Sequence, residues 1–217
     1  VDLGCLSQAM GSAYLEWGQT KIMARVVKSQ KKEGFGCQVK FAPHFGLDIE
    51  ALALAAVSTT LAKQQQHKQQ QQNHSISYME TTTLESKLHD ALYSSIMNTC
   101  LSFQVQITVL QQDGALLPAI IVSASLSMAN AGIPLKDMVA CCNVASSGAD
   151  EMLADPTRDE LLHKHDGFDN MEMTLAVLPN LNRVTLWDQK GRLSTDESQK
   201  ALTMCREGCQ TIHKLMR

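Results

Sequence analysis

The sequence predicts an α+β domain, a mixed β-sheet with helices packed on its face. Three observations carry this. Gly11 to Trp17 and Thr20 to Val27 read as two strands around a Gly18-Gln19 turn, a β-hairpin. Val105 to Gly132 reads as a strand, a tight turn at Asp113-Gly114 and a buried helix. Strands and helices then mix without the regular alternation of a parallel βαβ array.

Each element has a local reason. After the hairpin, Lys28 to Gly36 is a polar loop, and Cys37 to Phe41 is a short strand stopped by Pro43. Ile49 to Ala62 is rich in Ala and Leu and reads as helical. It runs into Gln64 to Gln72, a polar low-complexity tract that cannot build a core. We expect a disordered Gln-rich insertion at about 63–76. Leu84, Leu88, Ala91, Leu92, Ser95 and Ile96 fall on one amphipathic face, with Thr83 as the expected cap. Phe103 to Leu110 alternates cleanly as a strand.

The helix expected from about Ala115 carries small residues (Ala119, Ser123, Ala124, Ser127) that allow close packing on a sheet. Gly132 and Pro134 form its stop signal. Lys136 to Ala145 reads as a buried strand, and Asp150 to His165 as an acidic loop. Met171 to Leu178 and Arg183 to Trp187 are two further strands. Ser194 and Glu197 make a capping box that opens a last helix running to about Lys214.

Composition narrows the function. The 217 residues are 44% hydrophobic and 19% charged, ordinary for a globular protein. A chain of this length removes roughly 70% of its unfolded surface from water, enough for a core without disulfides or metal. The net charge of −3 lacks the basic field of an autonomous nucleic-acid binder. The seven cysteines are odd in number and contain no CxxC pair, so reduced, intracellular thiols are the expectation. Cys205 and Cys209, one helical turn apart, have the spacing of two metal ligands. No matching pair occurs elsewhere, so neither a metal nor any other cofactor is expected. No apolar run approaches the ~20 residues that span a bilayer. No secretory signal opens the sequence, which starts at Val1 within a segment that already reads as folded.

The Asp113-Gly114 turn aims backbone N–H groups and a helix N-terminus at one point, a geometry suited to phosphate. Yet Ala115-Leu116-Leu117-Pro118 offers no Arg, Lys, Ser or Thr to hold an anion. The one basic cluster is Arg25, Lys28, Lys31, Lys32 and Lys40, read either as RNA-contacting or as a solvated hairpin loop. His163 and His165 read as exposed loop residues. Tyr14, Trp17 and Trp187 read as packing residues rather than base-stacking ones.

Five segments together resemble the RNase PH family. They are LGCLSQAMGSAYLEWGQTKI from Leu3, LQQDGALLPA from Leu110, ANAGIPLKDMVACC from Ala129, MTLAVLPNLNRVTL from Met173, and Gly208-Cys209-Gln210 in the last helix. The resemblance spans the chain except roughly Leu47 to Glu80, and implies a single RNase PH-like domain over residues 1–217. Within the family, Phe41-Ala42-Pro43, the stretch Leu153 to Glu160 and the stretch Leu178 to Val184 are most similar to a non-catalytic ring subunit of the eukaryotic RNA exosome.

That resemblance implies ring partners of the same family, a cap of S1/KH-domain subunits, RNA met through the assembled complex, and no membrane. It also implies a nuclear and nucleolar location, with cytoplasm besides. In active relatives a Gly-Thr-Arg sequence follows the Asp-Gly turn. Here Leu117 stands at the arginine position. The second expected arginine would fall near Asn73 to Ser77, where there is none. The catalytic aspartate falls at Glu172, and Asp155 matches another acidic position. Three readings follow: a silent ring subunit; a phosphate-dependent 3′-to-5′ exoribonuclease working with Asp155 and Glu172 as a residual carboxylate pair; and a free-standing RNA-binding module. The substituted positions favour the first.

Overall fold

The computed structural model describes residues 1–29, 34–42, 81–97, 102–148, 151–158, 160, 171–192 and 194–217. The Gln-rich insertion, the stretch from Ile49 to Ala62 and the loop holding His163 and His165 lie outside them.

The expected hairpin forms from β2 (Gly11–Trp17) and β3 (Thr20–Lys28), in the register Gly11↔Val26 to Trp17↔Thr20. Gly18 turns the chain with φ 58°, a value that favours glycine. The short β1 (Asp2–Leu3) pairs with β2. On the other side, β3 pairs antiparallel with β5 (Phe103–Gln111), and β5 pairs parallel with β4 (Phe35–Phe41). A parallel pair requires a crossover, and the helix over residues 81–93, α1, lies within it. The result is a mixed five-stranded sheet in the order β1-β2-β3-β5-β4.

Period-two alternation sends Ala13, Leu15, Ile22, Ala24, Val26, Val105, Ile107 and Val109 into the core. Against this face lies α2 (Leu116–Asn130), which also packs on the second sheet. Pro118 to Met128 are all buried, an unbroken run of eleven. A helix covered on every side must satisfy its polar side chains internally. Ser123 and Ser127 hydroxyls donate to the carbonyls of Ile120 (3.0 Å) and Ala124 (2.8 Å). The Ser125 hydroxyl accepts from the Val139 N–H at 3.0 Å. The helix stops as expected. Gly132 (φ 70°) and Ile133 donate their N–H groups to the carbonyls of Ala129 and Met128, the paired bonds of a Schellman motif. Gly11 meets this end so closely that a Cβ there would lie 2.3 Å from the Ala131 nitrogen.

The second sheet is antiparallel, in the order β7-β6-β8-β9, built from β6 (Ala140–Gly148), β7 (Glu151–Ala154), β8 (Glu172–Leu178) and β9 (Arg183–Lys190). Its two faces serve different helices. Cys141 and Ala176 join the core around α2, while Val144, Met173 and Leu175 form a smaller cluster with Ala201 and Cys205 of α3 (Thr195–Met216). The Cys205 and Cys209 thiols donate to the carbonyls of Met173 (3.7 Å) and Leu175 (3.4 Å), so these cysteines are packed against β8.

Four details depart from the sequence reading. Thr83 lies inside α1 rather than capping it. Ile96 lies past the end of α1, in a bridge to Leu135, because the Ser95 hydroxyl turns back onto the Leu92 carbonyl at 2.6 Å. β6 begins at Ala140 rather than Lys136. The Asp137 carboxylate accepts from the Met138, Asn180 backbone and Asn180 side-chain N–H groups, which ties that stretch to the β8–β9 turn instead of a ladder. Part of the expected acidic loop is the strand β7, paired with the end of β6.

Replacing Ser194, whose hydroxyl and backbone both engage Glu197 in the capping box, with alanine should cost about 1 kcal/mol. For a domain of this size that lowers Tm by about 2–4 °C, readable by calorimetry.

Candidate functional site

The Asp113-Gly114 turn joins the two sheets. The Asp113 N–H donates to the Thr20 hydroxyl (3.0 Å), which donates in turn to the Gly114 carbonyl (3.1 Å). From the second sheet, the Arg158 N–H donates to the Asp113 carbonyl at 2.7 Å, and Gly114 bridges Thr157. Gly114 has φ 108°, and a Cβ there would lie 2.5 Å from the Pro156 carbonyl oxygen. Only glycine meets both conditions.

Beyond the turn, Ala115 caps α2 in the left-handed conformation (φ 36°), with no side-chain hydrogen bond to the helix. An α-helix leaves its first N–H groups without intrahelical partners. Here they belong to Ala115, Leu116 and Leu117, since Pro118 has none. These residues open onto a cleft of about 520 Å³. Phe41, α1 (Leu84, Lys87) and the near face of β8 and β9 (Glu172, Thr174, Asp188, Lys190) complete its wall.

Among the described residues the cleft is lined by two lysines, and both are paired. Lys190 donates to Glu172 at 3.0 Å and Lys87 to Asp188 at 2.5 Å. The second Glu172 oxygen accepts from the Asn143 side chain at 3.0 Å. A phosphate entering this cleft would meet apolar Leu116 and Leu117 at the helix terminus and cations held by carboxylates.

The structure separates the carboxylates considered as a pair. Glu172 lines this cleft and Asp155 does not. Asp155 follows β7, where its Oδ1 accepts from the Asn143 N–H (3.1 Å) and the Cys142 thiol (3.7 Å), and it lines a different cavity. Burial pushes the Asp155 carboxyl above the usual carboxylate range, against the opposing pull of those two donors. Cys142 is also pushed up, first by its contact with Cys205 and then by burial. Among the described residues no three His, Cys, Asp or Glu side chains gather as a metal site.

The basic cluster also divides. Arg25 and Lys40 share the outer face of the five-stranded sheet, across β5, where Arg25 pairs with Gln106 and Lys40 with Thr108. The Arg25 Nε already donates to the Gln106 side chain at 2.9 Å. Lys28 sits opposite Phe103, at a register position on the other face. Lys31 and Lys32 lie outside the described residues. Tyr14 donates to Glu16, Trp17 packs on the core, and Trp187 is 51% exposed on β9. Sequence reasoning missed Lys87, Asp188 and Lys190. A pair formed 101 positions apart leaves no local signal.

A turn and helix end of this form, inside this pair of sheets, define the class. Residues 1–134 match the family described as 3′ exoribonuclease family, domain 1, and the chain belongs to this RNase PH family. The chain is similar to the protein named exosome complex component Rrp41 from Pyrococcus abyssi, at 28% identity over all of this chain and 81% of that one. It is also similar to the Cenarchaeum symbiosum protein of the same name, at 27% identity over all of this chain and 83% of that one. Rice Rrp46 shares the fold with a TM-score of 0.71 at 19% identity, over all of this chain and 91% of that one.

Two measurements test this description. Gly114→Ala should lower stability by about 2–4 kcal/mol, from left-handed strain and the clash with Pro156, measured by urea denaturation. For Asp155 the folded value is raised, so the native chain holds that proton more readily than the unfolded chain. Stability is therefore lost as pH rises through the folded value. Asp155→Asn should be more stable than the native chain near neutral pH, with the difference shrinking as pH falls toward about 4. A difference that grows on acidification would refute the burial account.

Proposed function

We propose that this chain is a catalytically silent RNase PH-family subunit of an RNA exosome ring. Phosphorolysis needs an inorganic phosphate held in line with the RNA's last phosphodiester, and a multiply charged anion calls for an arginine fork or free cations. The observation that carries the reading is the state of the cleft. Leu117 stands at the position implied for arginine, and Lys87 and Lys190 are both engaged by carboxylates of the same cleft. One lost charge-assisted contact is worth ~1.5–3 kcal/mol, roughly 10- to 150-fold in rate. The exoribonuclease reading has the family's description in its favour, but it needs Asp155 and Glu172 in one site, and they line different cavities.

The similarity to proteins named exosome complex components supports assembly with other exosome subunits. In our reading the partners are RNase PH-like ring subunits and an S1/KH cap. The chain completes the ring and helps channel RNA to a separate nuclease, in rRNA maturation and mRNA turnover. We place it in the nucleus and nucleolus, and in the cytoplasm. Its motifs resemble those of the exosome ring subunit called mRNA transport regulator three.

The purified chain, given RNA and inorganic phosphate, should release no nucleoside diphosphates. Leu117→Arg alone should not create that activity, since Lys87 and Lys190 stay paired. Diphosphate release by either protein, followed by chromatography, would overturn the proposal.

A further inference from the structure

The edge of the second sheet carries an apolar shelf. β9 is its last strand, paired with β8 on one side only. The register contains a bulge: Leu186 lies opposite Ala176 and Val184 opposite Val177, so Thr185 is the extra residue. A regular strand sends residues 184 and 187 to opposite faces. The bulge brings them to one face, because Trp187 lies opposite Leu175, which has the parity of Val177. This is the face that α3 covers, where Leu175 packs in the cluster joined by Ala201 and Leu202. Val184 (55%) and Trp187 (51%) stay exposed there, as does Leu181 (45%) in the turn before β9. The charge beside the shelf is positive. The Arg206 guanidinium of α3 donates to the Asn182 side chain at 3.1 Å, which holds it at the start of β9, and Arg183 follows Asn182. Among the described residues neither arginine forms a salt bridge. The carboxylates of Asp188 and Glu172 are engaged by Lys87 and Lys190 in the cleft. Glu207, the next residue on α3, lies about 100° round the helix axis from Arg206.

We propose that this shelf is a docking site for a segment of another protein, one that presents apolar side chains flanked by carboxylates. Three exposed apolar residues side by side call for an occupant with apolar groups of its own. Trp and Arg are the side chains that most often anchor protein interfaces. Charge complementarity sets the flanks, since a carboxylate matches the fork of a guanidinium. A second copy of this chain fits less well. It would use the same patch, adding two more unmatched arginines and no free carboxylate. RNA would meet the arginines with phosphate and Trp187 with a base, but would leave aliphatic Val184 and Leu181 without apolar cover. The bulge breaks the free edge of β9, so the occupant packs through side chains on the face rather than adding a strand. The inference stands apart from the silent-subunit reading, because it concerns binding by the chain itself and not turnover.

The test uses the full chain and three probes: acetyl-Glu-Leu-Phe-Leu-Glu-amide, the same peptide with glutamine in place of glutamate, and decauridylate. Binding is read at neutral pH from the indole N–H resonance of Trp187, one of two tryptophans. The acidic peptide should bind about tenfold more tightly than the glutamine peptide, as a charge-assisted contact implies. The double variant Arg183→Gln, Arg206→Gln should bring the two affinities together. Val184→Ser, at an exposed position, should weaken both peptides by a similar factor and leave their ratio unchanged. Equal affinities in the native chain, no shift at millimolar peptide, or a preference that survives the double variant would refute the site. Binding of decauridylate at Trp187 without binding of the acidic peptide would overturn the protein-segment assignment in favour of RNA. Dimerisation of the native chain that Val184→Ser abolishes would overturn it in favour of a second copy.

Discussion

Everything in this structure depends on one buried helix. α2 lies between two sheets, with each residue from Pro118 to Met128 removed from solvent. Such a helix cannot be amphipathic. It must be apolar all round, thin enough for both sheets to close on it, and internally satisfied wherever it is polar. Alanines supply the thinness, serine hydroxyls return to the helix or hold Val139, and a Schellman end releases the chain toward β6. The first sheet, the second sheet and α3 are then placed by what they bury against this element and against each other.

The same constraint sets the character of the cleft. The Asp113-Gly114 turn that leads into α2 is held by Thr20 from one sheet and by Thr157 and Arg158, just past β7, on the other side, so the turn is fixed before any ligand arrives. Preorganised N–H groups at a helix end are the expensive part of an anion site. This chain keeps that frame but not the charges. Leu116 and Leu117 line the opening, and the two lysines are matched by Asp188 and Glu172. The Lys190–Glu172 pair, whose lysine is exposed, contributes little to stability, while the Lys87–Asp188 pair is half-buried. These pairs matter more for what they take away, which is free positive charge at the place where phosphate would bind.

Asn143 divides the second sheet's two environments. Its side chain reaches Glu172 in the cleft, while its backbone N–H holds Asp155 beside the thiol of Cys142. One residue thus separates two carboxylates that lie 17 positions apart in the sequence (172 − 155) and look like a pair there. Strand parity would not have separated them: Leu153 and Glu172 both pair with Ala145, so Asp155, two positions on, has the parity of Glu172. Asp155 lies past the end of β7 in the left-handed conformation (φ 49°), outside the ladder. The basic cluster does divide by parity, since successive side chains point to opposite faces: Lys28 occupies the opposite parity from Arg25.

Local chemistry made much of the fold legible in the sequence. The Gly18 hairpin, the alternation of Phe103 to Leu110, the Gly132 stop and the Ser194–Glu197 capping box are interactions between near neighbours, and each forms as read. The Asp113-Gly114 turn and the apolar Leu117 were visible for the same reason. What the sequence left open rests on contacts between distant residues. β7 becomes a strand only because the end of β6 offers it an edge. Lys136 to Val139 stays out of the ladder because Asp137 binds Asn180. The second, antiparallel sheet packs on α2 opposite the mixed sheet, so that α2 is buried on both sides. The pairing of Lys87 with Asp188, and the separation of Asp155 from Glu172, belong wholly to tertiary structure. A charge is free or matched according to what the fold places beside it, and sequence spacing does not record that.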